Sequence, residues 1–245
     1  MGTSDLFNLG GKVALVTGAG SGLGRQFSEA MAEAGADVAC ADIDEESAKV
    51  TAAAVQGLGR RGVAIGCDVT AEAQVEAMVT RTVAALGRLD ILFNNAGIAD
   101  PQALPLHEYP TANWRAVLNV DLDGVFFCAR EALKVMVGQQ SGKIINIASI
   151  WGLAGSSSLF PALAYNAAKG AVVNLTRELG LEYAHRESRS TRCVPASTRP
   201  TSAGARSTTR GPAPRSPPSS RWTGSRRPPR SRGPRSSSPP PRRTT

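Results

Sequence analysis

The sequence predicts an α/β fold: a doubly wound parallel sheet with helices on both faces. Three observations carry this. Residues 13–16 (Val-Ala-Leu-Val) form an apolar, β-branched run that leads into a glycine cluster and then into helix-forming residues. Four further short apolar runs alternate with helical stretches of ten or more residues, the pattern that parallel strands with crossover helices produce. Each run closes on polar or glycine residues, and such sheets bind ligands at the carboxyl ends of their strands.

The elements follow in order. Residues 13–16 suit a strand buried on both faces, and residues 25–34 the first helix. Residues 36–41 are a second strand, ending in Asp42, with a polar helix over 45–58. Residues 63–67 are a third strand, closed by Asp68. The helix after it, 71–86, carries Val75, Met78, Val79, Val83 and Leu86 at helical spacing. Residues 89–93 are a fourth strand, ending in Asn94-Asn95-Ala96-Gly97. A loop with Pro101, Pro105 and Pro110 leads to one long helix over 111–137. Residues 143–148 are a fifth strand, ending at Ser149, and 162–184 a further helix. Right-handed crossovers between such strands make this the Rossmann arrangement.

Charge is unevenly spread. Residues 1–186 carry a net charge of −5 and residues 187–245 a net charge of +13. The basic pI therefore belongs to the tail, and does not argue for nucleic-acid binding by the core. Cys40, Cys67, Cys128 and Cys193 show no paired spacing, so free thiols and a cytoplasmic location are expected. No apolar run is long enough to span a bilayer, so no membrane association is expected. No metal site is expected either.

The strand ends divide into two halves. In the first, Gly18, Ser21, Gly22, Leu23 and Gly24 form a turn onto a helix N-terminus. Glycines let a phosphate approach the backbone, and the helix start offers free N–H groups. Asp42 suits the hydroxyls of an adenosine ribose and opposes a 2′-phosphate, which favours NAD over NADP. A helix N-cap is the plainer role for Asp42, and Arg25 is a competing feature that would accommodate a 2′-phosphate. Asp68, with Val69 beside it, is expected against the adenine, or as a cap for the following helix. Asn95, Ala96 and Gly97 keep the end of the fourth strand small where the cofactor passes.

The second half is Tyr165-Asn166-Ala167-Ala168-Lys169, a phenol and an ammonium four residues apart on one helix face. A free phenol ionises near pH ~10, and a neighbouring cation favours the phenolate. Tyr165 then exchanges a proton with a substrate oxygen while hydride moves to or from a nicotinamide. Ser149 is placed to hydrogen-bond the same oxygen.

Together these motifs resemble the short-chain dehydrogenase/reductase family. The matching stretches are Thr17 to Gly24, Asn94-Asn95-Ala96-Gly97, Asn119-Val120-Asp121, Ser149, and Tyr165 to Lys169. The resemblance covers about residues 9–186. It implies an NAD-dependent oxidoreductase acting on a small-molecule alcohol or ketone. Tyr165 is then the general acid/base, and Lys169 supports Tyr165 and holds the nicotinamide ribose. Ser149 orients the substrate, and Asn119 supports a water-mediated proton relay. It also implies a homodimer or homotetramer built on the long helices. The span from Ser149 to Tyr165 is slightly longer than is commonest in the family, with the extra residues in 155–161.

After residue 186 the resemblance breaks. A sixth strand and a Pro-Gly turn are called for, and a Ser/Pro/Arg-rich tail follows instead. Such composition buries too little apolar surface to offset the entropy of ordering. The reading is therefore a core over 1–186 and a disordered tail over 187–245 in place of the last strands. One choice of codons for residues 187–198, read one base earlier from a final G in the codon of Arg186, gives Gly-Ile-Pro-Val-Asn-Ala-Val-Arg-Pro-Gly-Phe-Asn. That is close to the missing strand and turn, and it points to a frameshift, which resequencing around codon 186 tests. The competing reading is a non-catalytic, cofactor-binding core whose basic arm, richest over 226–232, touches nucleic acid electrostatically or offers a polyproline II ligand to another partner.

Overall fold

The computed structural model describes residues 7–156 and 161–184 and the backbone of 192–196, all within one compact unit, residues 1–201. Six parallel strands form one sheet in the order β3-β2-β1-β4-β5-β6. They are β1 (Val13–Thr17), β2 (Asp37–Asp42), β3 (Gly62–Gly66), β4 (Ile91–Asn94), β5 (Lys143–Ser149) and β6 (Arg192–Ala196). The strand order turns back between β1 and β4, the switch point at which doubly wound sheets hold ligands.

The period of two along β1 shows why the sheet is buried on both faces. Val13 and Leu15 join one apolar cluster, while Ala14 and Val16 join the other. The first cluster is closed by α3 (Glu72–Leu86) and α5 (Gly124–Gly138), through Val75, Met78, Val79, Cys128, Ala132 and Met136. The second is closed by α1 (Gly22–Glu33) and α2 (Glu45–Gly57), and Phe27 of α1 stacks on Phe93 of β4 with ring centroids 5.0 Å apart. α4 (Thr111–Leu118) and α6 (Leu163–Tyr183) meet through Val117, Ala164 and Ala168.

Two expectations are corrected. The single long helix over 111–137 is α4 and α5 joined by a π-helical segment, Asn119–Asp123. The extra residue in a π turn re-aims side chains relative to a regular helix, and such turns gather at functional sites. The sheet also does not end at β5. Beyond it, residues 192–196 pair in parallel with Ile145–Ser149, although the sequence reading assigns them to a disordered tail. Ladder pairing uses main-chain groups alone, so an unpaired strand edge recruits an extended segment of poor core composition. Among the described residues β6 is the last strand of the sheet, and proline, which has no N–H to donate, is tolerated in such a strand. The expectations for residues 187–191 and 197–245 lie outside the described residues.

Cys40, Cys67 and Cys128 are free and buried, as expected; the side chain of Cys193 lies outside the described residues. No helix among the described residues is long and apolar enough to cross a membrane.

Candidate active site

The cofactor half is built where β1 runs into α1. Ser21, the N-cap of α1, makes no side-chain capping bond, so the first N–H groups of the helix are left for another acceptor. Gly22 has φ 52°, and a Cβ built there meets nothing within 4 Å. Gly24 is the opposite case: its Cβ would lie 1.9 Å from the carbonyl oxygen of Gly18. Only glycine lets the first turn of the helix sit this close to the strand end. Asn95 braces the turn, its amide donating to the carbonyls of Thr17 (2.9 Å) and Gly18 (3.2 Å). The backbone N–H groups of Asn95 and Ala96 both donate to the Thr17 hydroxyl at 3.1 Å.

Asp42, at the end of β2, accepts from the Gly20 N–H (2.8 Å) and the Asp44 N–H (3.0 Å). It is not the helix cap: Asp44 fills that role, accepting from the N–H groups of Glu46 and Ser47. Arg25 pairs with Glu29 at 2.8 Å. An uncapped helix start over a glycine turn, open space at Gly22 and a carboxylate on the neighbouring strand end together fit a dinucleotide.

Asp68 closes a local turn, accepting from the N–H (2.9 Å) and hydroxyl (2.8 Å) of Thr70. It is not the N-cap of α3, a position held by Ala71. Val69 is buried and packs so closely on Gly124 that a Cβ there would meet Val69 Cγ2 at 2.8 Å.

The chemical half lies where β5, α6 and the π segment converge. Ser149 is buried at the end of β5, and its hydroxyl accepts from the Trp151 N–H at 3.2 Å. Tyr165 is half-buried on the first turn of α6. Lys169, one turn on, is 4% exposed, and its Nζ stands 5.5 Å from the Tyr165 ring centroid. That ammonium donates to the Ile147 carbonyl at 3.1 Å, two residues before Ser149, and pairs with Asp121 Oδ2 at 3.1 Å. Gly97 lies against this pair: a Cβ there would stand 3.1 Å from Asp121 Oδ2 and 3.3 Å from Lys169 Nζ. Lys169 thus links Tyr165, Gly97 and the end of β5 that carries Ser149 in one corner.

Asn119 is not part of that corner. It is exposed at the start of the π segment and makes no hydrogen bond to Ser149, Tyr165 or Lys169. The π turn instead carries Asp121 inward, where it is fully buried and accepts from the Ile98 N–H at 2.7 Å. Burial pushes its carboxyl above the usual carboxylate range, against the pull of Lys169 and the Ile98 N–H. Asp121 was legible as a signal. It follows Val117 by four residues and precedes Val125 by four, so it is an acid inside an apolar helical stripe.

Two other groups escaped sequence reasoning. Asp100, in the loop after β4, accepts from the Tyr165 N–H at 3.0 Å and from the Tyr109 hydroxyl. It supplies from outside the helix the cap that Ala162 cannot give α6. Asn146 of β5 accepts from Asn94 (2.8 Å) and donates to the Thr176 hydroxyl of α6 (2.9 Å). This buried polar chain ties two strands to the helix that carries Tyr165.

The family model for short chain dehydrogenase matches residues 12–210. Cis-4-hydroxycyclohexanecarboxylate dehydrogenase of Sinomonas cyclohexanicum is 43% identical over 173 residues, 71% of this chain and 68% of that protein. A solved short-chain type dehydrogenase/reductase from Mycobacterium marinum superposes with a TM-score of 0.75 at 35% identity, covering 80% of this chain and 78% of that one. A solved NAD+-bound xylitol dehydrogenase superposes with a TM-score of 0.72 at 33% identity, covering 76% and 70%. The chain belongs to the short-chain dehydrogenase family and is an oxidoreductase acting on CH–OH groups.

Proposed function

We propose that this protein transfers a hydride between NAD(H) and a secondary alcohol or its ketone, with Tyr165 as general acid/base. The observation that carries the reading is the Lys169 ammonium, fixed between the Ile147 carbonyl and Asp121 and lying beside the Tyr165 ring. A bound nicotinamide dinucleotide supplies the centre that takes up or gives the hydride. In the oxidation direction Tyr165, as phenolate, accepts the alcohol O–H proton, and the adjacent C–H leaves with its electron pair as hydride. In the reverse direction Tyr165 returns the proton to the ketone oxygen. Ser149 hydrogen-bonds that oxygen, and Lys169 keeps positive charge beside the phenol.

NAD is favoured over NADP because Asp42 presents a carboxylate where a 2′-phosphate would come. The competing features argue the same way, since Asp44 is the helix cap and Arg25 is paired with Glu29. A hydroxylated six-membered ring is one secondary-alcohol class consistent with the relative from Sinomonas. The test is Tyr165→Phe, which removes the proton carrier alone. Turnover with an alcohol panel should be lost while NADH binding, followed by equilibrium fluorescence titration, survives. Near-parental turnover by Tyr165→Phe at neutral pH would refute the assignment.

A further inference from the structure

Lys169 and Asp121 form the most deeply enclosed ion pair among the described residues, their side chains 5% and 0% exposed. An ion pair at this depth is a poor source of stability, because both partners lose water. It contrasts with Lys12–Asp90 and Arg61–Asp37, whose cations remain largely in solvent. The enclosed pair also sits where the reaction is read to occur. Gly97 leaves room for it, the Ile98 N–H fixes one carboxylate oxygen, and the Ile147 carbonyl fixes the ammonium.

We propose that Asp121 is a positioning residue for the reaction, whose carboxylate holds the Lys169 ammonium in place and offsets its charge beside Tyr165. This rests on the reading of Tyr165 as general acid/base. The groups acting on Asp121 come from two sides. Lys169 approaches from α6, and the loop after β4 brings the Ile98 N–H and the like charge of Asp100. The proton-exchanging phenol is therefore governed by a balanced pair and not by a bare cation. An anion next to a cation weakens the help the cation gives to a phenolate. Removing the anion while keeping the shape should let the phenol lose its proton at lower pH.

The test is Asp121→Asn in the full chain, which keeps an acceptor for the Ile98 N–H and removes the charge. Two readouts apply. One is the pH profile of alcohol oxidation. The other is the ultraviolet titration of phenolate in cofactor-free protein, taken as a difference against the same chain carrying Tyr165→Phe. Both midpoints should fall by about one pH unit. A structural role alone lowers the amount of active protein and leaves the midpoints where they were, and unmoved midpoints overturn the inference. Loss of turnover in Tyr165→Phe together with unmoved midpoints sinks this inference alone, whereas retained turnover in Tyr165→Phe sinks the reading beneath it.

Melting temperature covers the case in which D121N fails to fold. In a Lys169→Met background the carboxylate is buried without its cation, so adding D121N should raise the melting temperature. A double variant no more stable than Lys169→Met overturns the pairing.

Discussion

Gly22 and Gly24 stand two residues apart in the same turn, and the structure assigns them different jobs. Alanine at 24 would place its Cβ 1.9 Å from the Gly18 carbonyl oxygen, a backbone atom with no rotamer to give way. Overpacking of this kind costs about 1–3 kcal/mol, and contact with main chain puts it at the upper end. The helix regains about 1 kcal/mol from replacing glycine by alanine, which leaves a net loss of about 2 kcal/mol. At roughly 2–4 °C per kcal/mol for a chain of this size, the melting temperature falls by about 4–8 °C. Alanine at 22 meets no atom within 4 Å, and its penalty is the left-handed φ of 52°, worth about 1 kcal/mol. Its methyl group would instead occupy the open space at this turn, where the dinucleotide is read to bind. Gly22→Ala should therefore melt within about 4 °C of the parent yet bind NADH at least tenfold more weakly, about 1.4 kcal/mol. The assays are thermal unfolding by circular dichroism without cofactor and fluorescence titration with NADH. A Gly24→Ala variant as stable as the parent, or less destabilised than Gly22→Ala, would refute the geometry of the turn.

Asp42→Ala should erode the preference for NADH over NADPH by tenfold or more in equilibrium titration, and an unchanged ratio would remove Asp42 from the ribose site. The Asp90 carboxyl is pushed up by burial, but Arg88, the Val13 N–H and Lys12 together hold it below the usual carboxylate range. Its contribution to stability is therefore complete above the unfolded value of about 3.9 and is lost as pH falls through the lower folded value. Asp90→Asn should consequently lower the melting temperature at neutral pH and flatten its fall in acid; parallel curves for parent and variant would contradict this.

The strand–helix alternation and the polar or glycine-rich strand ends were legible because they follow from local signals. Val13–Thr17 is apolar on both alternating faces, and Gly18 to Gly24 can only be a tight turn onto a helix. Tyr165 and Lys169 were legible because four residues on a helix put them on one face. What escaped were contacts between elements distant in the chain. The role given to Asn119 came from the family resemblance and not from helical spacing. The π turn adds a residue, and it is Asp121 that faces Lys169. Asp100 capping α6 across 65 residues of chain leaves no mark in either local sequence. β6 was invisible for another reason: edge pairing through the main chain asks little of side-chain pattern.

The polar chain from Asn94 through Asn146 to Thr176 has a consequence for how such an enzyme diversifies. With the Lys169–Ile147 bond and the Asp100 cap, it anchors Tyr165 and Lys169 through partners that all lie between β4 and α6. None of these bonds reaches past Thr176. The corner around Tyr165 and Lys169 is thus held by side-chain contacts internal to residues 94–176. Substitutions downstream of α6 that keep the main-chain pairing of β6 with Ile145–Ser149 leave those side-chain contacts in place.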